Sequence, residues 1–254
     1  MRILGPFCIC ALFVAGMWAF EPLGWGEGRS VDGLDWRNAI APGRTLTVQN
    51  LNGPITVTSV SGGEVHVTAK VGFNKSDPKA IRFQIKDDAR GPKVCALWPG
   101  MDSCDGPGKH QNNHEGDDLT VAFEVQLPAG VAFEGATVNG NVDVRGATGG
   151  VGAVTVNGDV AVDSSTAPLR AETVNGRIDV RLGELGPGDV RMATVNGDIL
   201  AQLPQRFDAE VSARTVSGRI TILGKEYQAR VRTTVGRGGP KVSAQNVSGT
   251  IAIR

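Results

Sequence analysis

The sequence predicts an all-β protein, a parallel β-helix or β-roll-like solenoid of short strand repeats. Three observations predict it. The 254 residues include 35 Gly and only 5% aromatics, and Thr, Val and Gly recur in short alternating runs without a long helical period. Such a composition favours many short strands joined by tight turns. A four-residue signature recurs through the chain, and the apolar positions on its two sides differ in parity.

The first segment differs from the rest. Arg2 precedes an uncharged run from Ile3 to Phe20, which Glu21 ends. A positive start followed by an apolar stretch reads as a secretory signal peptide over 1–20. A retained N-terminal anchor is the alternative, because the run nears the length needed to span a bilayer. Residues 21–44 are expected to be a linker or N-terminal cap, 45–130 an N-terminal β region with a cysteine loop, and 131–254 the regular repeats, continuous with 45–130.

In the N-terminal region Val65, Val67, Ala69, Val71 and Phe73 alternate. So do Ile81, Phe83 and Ile85, and Leu119, Val121, Phe123, Val125 and Leu127. Each run predicts a strand with one buried face. Together they would form wider rungs, or a small sheet, over the N-terminal end of the solenoid.

The repeat is plainest as Thr137-Val-Asn-Gly140, Thr155-Val-Asn-Gly158, Thr173-Val-Asn-Gly176 and Thr194-Val-Asn-Gly197. Thr215-Val-Ser-Gly218, Asn246-Val-Ser-Gly249 and the early Asn50-Leu-Asn-Gly53 are weaker copies. From Gly140 on, the glycines stand 18, 18, 21, 21 and 31 residues apart. Two residues after them come Ile55, Val142, Val160, Ile178, Ile199, Ile220 and Ile251. Four before the Thr or Asn come Leu46, Phe133, Val151, Leu169, Val190, Val211 and Val242. Alternate residues of a strand share a face. The two apolar sets are out of phase, so one flat strand cannot bury both. The chain must bend at the signature, where Gly permits a bend. Each unit is then two strands around a corner, too small to bury its own face, and stacked units bury a common core. The rival reading takes Asn-Gly as a hairpin turn in a meander or sandwich.

These units, and the strand from Leu119 that ends in Leu127-Pro-Ala-Gly130, resemble the bacterial putative-adhesin family of β-strand-repeat proteins, domain of unknown function 4097. The resemblance covers roughly 46–253. It implies a β-helix-like fold and export to the cell envelope or surface, and it supplies no catalytic residues. The Cys95-Ala-Leu-Trp-Pro-Gly100 segment with Cys104 is similar to the cysteine loop of some members.

Candidate chemistry concentrates in that loop. Cys8 and Cys10 lie in the apolar leader, which leaves Cys95 and Cys104 of the four cysteines. In an exported domain such a pair is expected to form a disulfide. With His110 and His114 they would instead make a zinc donor set, but the spacing is unlike a zinc finger. The loop acids lack the regular spacing of a calcium site. His66, between Val65 and Val67, is expected on an outer strand face. No catalytic residue, metal or cofactor is expected.

The residues after the repeat glycines suggest a structural charge ladder, with Asp159, Arg177, Asp198 and Arg219 on consecutive rungs. The repeated asparagines Asn139, Asn157, Asn175 and Asn196 would either bond along the stack or support the bend locally. Lys225, Arg230, Arg232, Arg237 and Lys241 form a basic interruption, read as a solvated hairpin.

Lys plus Arg and Asp plus Glu both number 26. That balance lacks the basic footprint of a nucleic-acid binder. The expected function is therefore a non-enzymatic, exported, adhesin-like scaffold of the envelope or surface that binds an unknown macromolecule. The alternatives are a carbohydrate-active β-helix enzyme, a polysaccharide lyase or hydrolase, and an envelope sensory or regulatory module. Membrane contact is expected only through the N-terminal segment. The last unit, Val242 to Ile253, is expected to be an open terminal rung, available for self-association unless the basic interruption covers it.

Overall fold

The Thr-Val-Asn-Gly corner carries the chain from one sheet to another, so it is not a hairpin turn. The structure, a computed structural model, describes residues 29–105 and 118–254. The expected signal or anchor at 1–20 lies outside the described residues, as do His110, His114, Glu115 and Asp117.

The chain begins with β1 (Arg29–Ala39), followed by a rung of β2 (Thr45–Gln49) and β3 (Ile55–Val60). Next come β4 (Glu64–Phe73) and β5 (Arg82–Asp87). β6 (Pro92–Leu97) and β7 (Thr120–Pro128) make a rung in which a long insertion, starting with the cysteine loop, replaces the four-residue corner. The regular rungs are β8 (Ala132–Ala136) with β9 (Val142–Ala147), and β10 (Val151–Val154) with β11 (Val160–Ser164). They continue as β12 (Leu169–Glu172) with β13 (Ile178–Leu182), and β14 (Val190–Ala193) with β15 (Ile199–Gln202). β16 (Ala209–Arg214) and β17 (Ile220–Ile222) form another rung. β18 (Lys225–Tyr227) and β19 (Arg230–Val235) then lead to the rung of β20 (Lys241–Gln245) and β21 (Ile251–Ile253).

The downstream strands lie in an 11-stranded sheet, ordered β1-β4-β7-β3-β9-β11-β13-β15-β21-β17-β18. The upstream strands lie in a 10-stranded sheet, ordered β19-β16-β20-β14-β12-β10-β8-β2-β6-β5. Rung-to-rung pairings are parallel, as between Val160 and Ile178 or Val151 and Leu169. The protein is a parallel, solenoid-like all-β fold. β-Branched residues favour the pleated surface, and they fill the inner column of Val142, Val160, Ile178, Ile199, Ile251 and Ile220, all fully or almost fully buried. The opposing column of Leu46, Phe133, Val151, Leu169, Val190, Val242 and Val211 meets it in one core. Each such side chain contributes roughly 1.5–3 kcal/mol of burial.

Rung order departs from chain order at both ends. β6 and β7 lie outside β2 and β3, which come first in the chain. At the other end β20 pairs with both β14 and β16, and β21 with both β15 and β17. The last unit is therefore an inner rung. This overturns the expectation of an open rung at Val242 to Ile253. The terminal rung is β16–β17, and the basic interruption covers it: β19 pairs antiparallel with β16, and β18 with β17. The N-terminal end is closed likewise by antiparallel β5 on β6, β4 on β7 and β1 on β4. His66 on β4 points away from the core, and its Nε2 lies 2.9 Å from Asp35 Oδ1 on β1.

Candidate interaction surface

The corners at Thr137, Thr155, Thr173, Thr194 and Asn246 repeat one hydrogen bond to the glycine carbonyl of the rung before, whereas the buried Thr215 hydroxyl of the terminal rung has no partner among the described residues. Thr155 Oγ1 donates to the Gly140 carbonyl at 2.8 Å, and Thr173 Oγ1 to the Gly158 carbonyl at 2.9 Å. Asn246, in the Thr position of the last unit, reaches the Gly197 carbonyl through Nδ2 at 3.1 Å. The glycine N–H bonds the following rung, as Gly158 does to the Asn175 carbonyl at 3.0 Å. Backbone groups at the bend thus stay paired. The close stacking leaves no room for a side chain: a Cβ on Gly176 or Gly197 would sit 1.9 Å from the preceding glycine's carbonyl oxygen.

The asparagines bond along the stack. Asn157 Nδ2 donates to Asn139 Oδ1 at 2.8 Å, Asn175 to Asn157 at 2.9 Å, and Asn196 to Asn175 at 2.9 Å. Such polar ladders also run through cross-β stacks. Asn52 departs from the row and donates to the Leu119 carbonyl instead.

The predicted column is only partly present and is not a ladder of ion pairs: Asp159, Arg177 and Asp198 stand exposed on consecutive rungs, but Arg219 is displaced. Thr250 lies between Asp198 and Arg219, because the last rung is inserted there. The acidic side chains bond backbone instead of arginine. Asp159 Oδ1 accepts from the Arg177 N–H at 2.8 Å, and Asp198 Oδ1 from the Thr250 N–H at 2.7 Å. Asn141 does the same for the Asp159 N–H at 2.8 Å. Arg177 pairs with Asp179 on its own rung, and Arg219 with Glu226. Alternating charge stands elsewhere, on the outer face of the 11-stranded sheet, where Arg145, Asp163 and Arg181 are in register. Since the Asp159 bond needs only an acceptor, Asp159→Asn is expected to leave stability unchanged. Asp159→Ala is expected to cost about 0.5–1.5 kcal/mol. Equal losses in chemical denaturation would restore the charge ladder.

Between the buried Thr and the exposed Asn, each corner turns one apolar side chain outward. Leu51, Val138, Val156, Val174, Val195, Val247 and Val216 follow one another in rung order. Their exposure is 37% for Leu51 and Val156, 38% and 40% for Val174 and Val195, and 45% and 69% for Val247 and Val216, with Val138 half-buried. Six steps at the strand spacing give an apolar stripe roughly 29 Å long. Sequence reasoning passed over it, because these residues share the parity of the buried downstream positions. The signal was present all the same: an apolar residue fills this place in all seven copies, although the bend turns it outward.

The cysteine loop is tied down by covalent and ionic bonds. Cys95 and Cys104 are joined in a disulfide, with Cα atoms 5.8 Å apart. Asp105 bridges Lys86 and Lys93, at 2.7 Å from each, and these two cations hold its pKa to about 2. Beyond the insertion, Asp118 accepts from the N–H groups of Asn74 and Lys75 and from the Ser76 hydroxyl and N–H. The Ser76 hydroxyl leads these bonds in holding the Asp118 carboxyl far below the usual carboxylate range. On the outer face of the 10-stranded sheet, Glu172 lies between Arg170 at 2.6 Å and Arg191 at 3.1 Å. The Arg170 hydrogen bond is the main cause of its lowered pKa.

Residues 135–254 match the family profile described as Toastrack DUF4097. Among solved structures, a putative cell adhesion protein from Clostridium sporogenes is similar with a TM-score of 0.50 and 11% identity, over 89% of this chain and 99% of that one. A putative adhesin from Bacteroides fragilis is similar with a TM-score of 0.40 and 13% identity, over 89% and 97%. At such identity the first likeness is one of fold. No curated protein matches the sequence.

Proposed function

Since residues 135–254 form a domain of the Toastrack DUF4097 family, we propose that the chain is a non-enzymatic, adhesin-like scaffold of the cell envelope or surface, which holds a macromolecular partner along its Thr-Val-Asn-Gly corner. The observation that carries this reading is the exposed stripe from Leu51 to Val216. A protein rarely keeps a long row of apolar side chains in water without a use for it. The asparagine ladder runs beside the middle of the stripe, from Val138 to Val195, and fixes its spacing there, so that part of the surface is ordered before a partner arrives. Preorganisation of this kind lowers the ordering cost of binding.

Two features support an exported setting. The apolar run from Ile3 to Phe20 reads as an export signal. The Cys95–Cys104 disulfide suits an oxidising compartment.

The test compares the full chain with V156T/V174T/V195T for retention on isolated cell envelopes. Threonine keeps the branched shape and strand preference of valine, and each exposed change costs at most about 0.5 kcal/mol. Retention is expected to fall at least about tenfold, a loss of about 1.4 kcal/mol, while the thermal midpoint moves little. Equal retention by the two proteins would reject the corner as the binding surface.

A further inference from the structure

The charge balance of the whole chain hides a strong asymmetry. Residues 205–254 hold nine of the 26 Lys and Arg residues and only three of the 26 Asp and Glu residues. That end of the solenoid carries six excess positive charges, and the rest of the chain six excess negative ones. The segment is contiguous in space, since it comprises the last two rungs and the two covering strands.

Part of this charge stands around a groove on the outer face of the 10-stranded sheet. Ser243 on β20 and Ser212 on β16 are paired neighbours and form its floor. Arg191 on β14 stands on one side, in register with Ser243, and Arg232 on β19 stands on the other, in register with Ser212. The groove encloses about 420 Å³. Arg214 and Arg230 lie two residue pairs further along, directly opposite each other. At the other end Asp189, Glu210 and Lys241 complete the lining, and the Lys241 N–H bonds Asp189 Oδ1 at 2.9 Å.

The fold gains no ion pair from Arg214, Arg230 or Arg232 among the described residues, whereas Arg191 is shared with Glu172. Like charges directly opposite on paired strands destabilise a sheet. Guarding an exposed edge would account for charges on β19 alone. Arg214, however, lies one strand further in, and Arg191 three.

We propose that this groove binds a segment of an acidic polysaccharide. Guanidinium groups on both walls suit carboxylates, which they can grip with two parallel hydrogen bonds. The serine hydroxyls on the floor and the Gln245 amide beside Arg214 suit sugar hydroxyls. A floor of small polar residues accepts a narrow polymer. A bilayer would call for apolar side chains projecting among the cations. The site is separate from the corner stripe and does not rest on its assignment.

The test measures binding of the full chain to polygalacturonate, with neutral dextran as reference. Supercoiled DNA and phosphatidylglycerol vesicles are the other arms. Binding to the polyuronate is expected, weakening as salt screens the charges. R214Q/R232Q is expected to bind about tenfold or more weakly, since each arginine lost removes a charge-assisted bond. R230Q, an outward change on the edge strand, gives a second reading should the double variant fold poorly, with an expected loss of several-fold. V156T/V174T/V195T is expected to bind the polyuronate normally, which keeps this site distinguishable from the corner. The proposal is overturned if the wild type ignores polygalacturonate, or if R230Q and the double variant both bind as well as wild type. It is also overturned if DNA or vesicles show the stronger arginine-dependent binding.

Discussion

Removal of residues 241–254 is expected to unfold far more of the protein than it deletes. In a solenoid whose rungs follow chain order, loss of the last unit would expose only its neighbour. Here β20 and β21 lie between β14–β15 and β16–β17, and each pairs on both sides. Deletion removes the strands to which β16 and β17 pair and uncovers the parallel edges of β14 and β15. It also removes Val242, Ala244, Ile251 and Ile253, none of them exposed at all. Truncation of a single buried isoleucine to alanine costs about 2–5 kcal/mol, so loss of the whole rung takes away a large part of the roughly 5–15 kcal/mol that holds a domain folded. The expected result is protease sensitivity from β14 onward and loss of a single cooperative thermal transition. A shorter protein that ends at residue 204, with all of 205–254 removed, is expected to keep more protection in β8 to β13. Intact protection of β16 and β17 in the 241–254 deletion would contradict the inserted order.

The second large effect concerns one methyl group. Gly176→Ala is expected to destabilise the protein by about 3–5 kcal/mol, in the range reserved for steric conflict with buried backbone. The new Cβ would stand 1.9 Å from the Gly158 carbonyl oxygen, an atom that also accepts from Thr173 Oγ1. Neither rung can move without breaking the asparagine bonds on both sides. Gly63→Ala is the control: its Cβ meets nothing within 4 Å. There the change is expected to be neutral or slightly stabilising, because alanine restricts the unfolded chain. Thermal midpoints of the two variants check the contrast, and similar midpoints would show that the corner is not tightly stacked.

The architecture was legible in the sequence because its physics is local. A parity switch across Thr-Val-Asn-Gly requires a bend, and repeated bends at a near-constant period require equivalent neighbours. The columns through Val160 and Leu169 follow from that alone. What a repeat cannot convey is which unit lies beside which. Units with the same corner bond any neighbour equally well, so nothing in Asn246 to Gly249 marks that unit for a place between Gly197 and Gly218. The charge column is incomplete for this reason. It is not a ladder of ion pairs because a short Asp side chain at a corner finds a backbone N–H closer than a guanidinium on the next strand, as Asp159 does. The apolar stripe was hidden by the bend itself, which reverses the side to which a given parity points. The groove at Ser212 and Ser243 was not legible either, since β14, β16, β19 and β20 meet only through that rearranged order.

The uniformity of the corners makes the protein a ruler. Residues 155–172, from one threonine to the residue before the next, form one complete step, with the same bonds above and below. Each added step of this kind lengthens the stripe by roughly 4.8 Å and leaves both covered ends as they were. Reach is thus counted in whole rungs, and it is decoupled from the chemistry at either end. A chain of this design can match a longer or shorter target by duplication or loss of one unit, with no new side chain required.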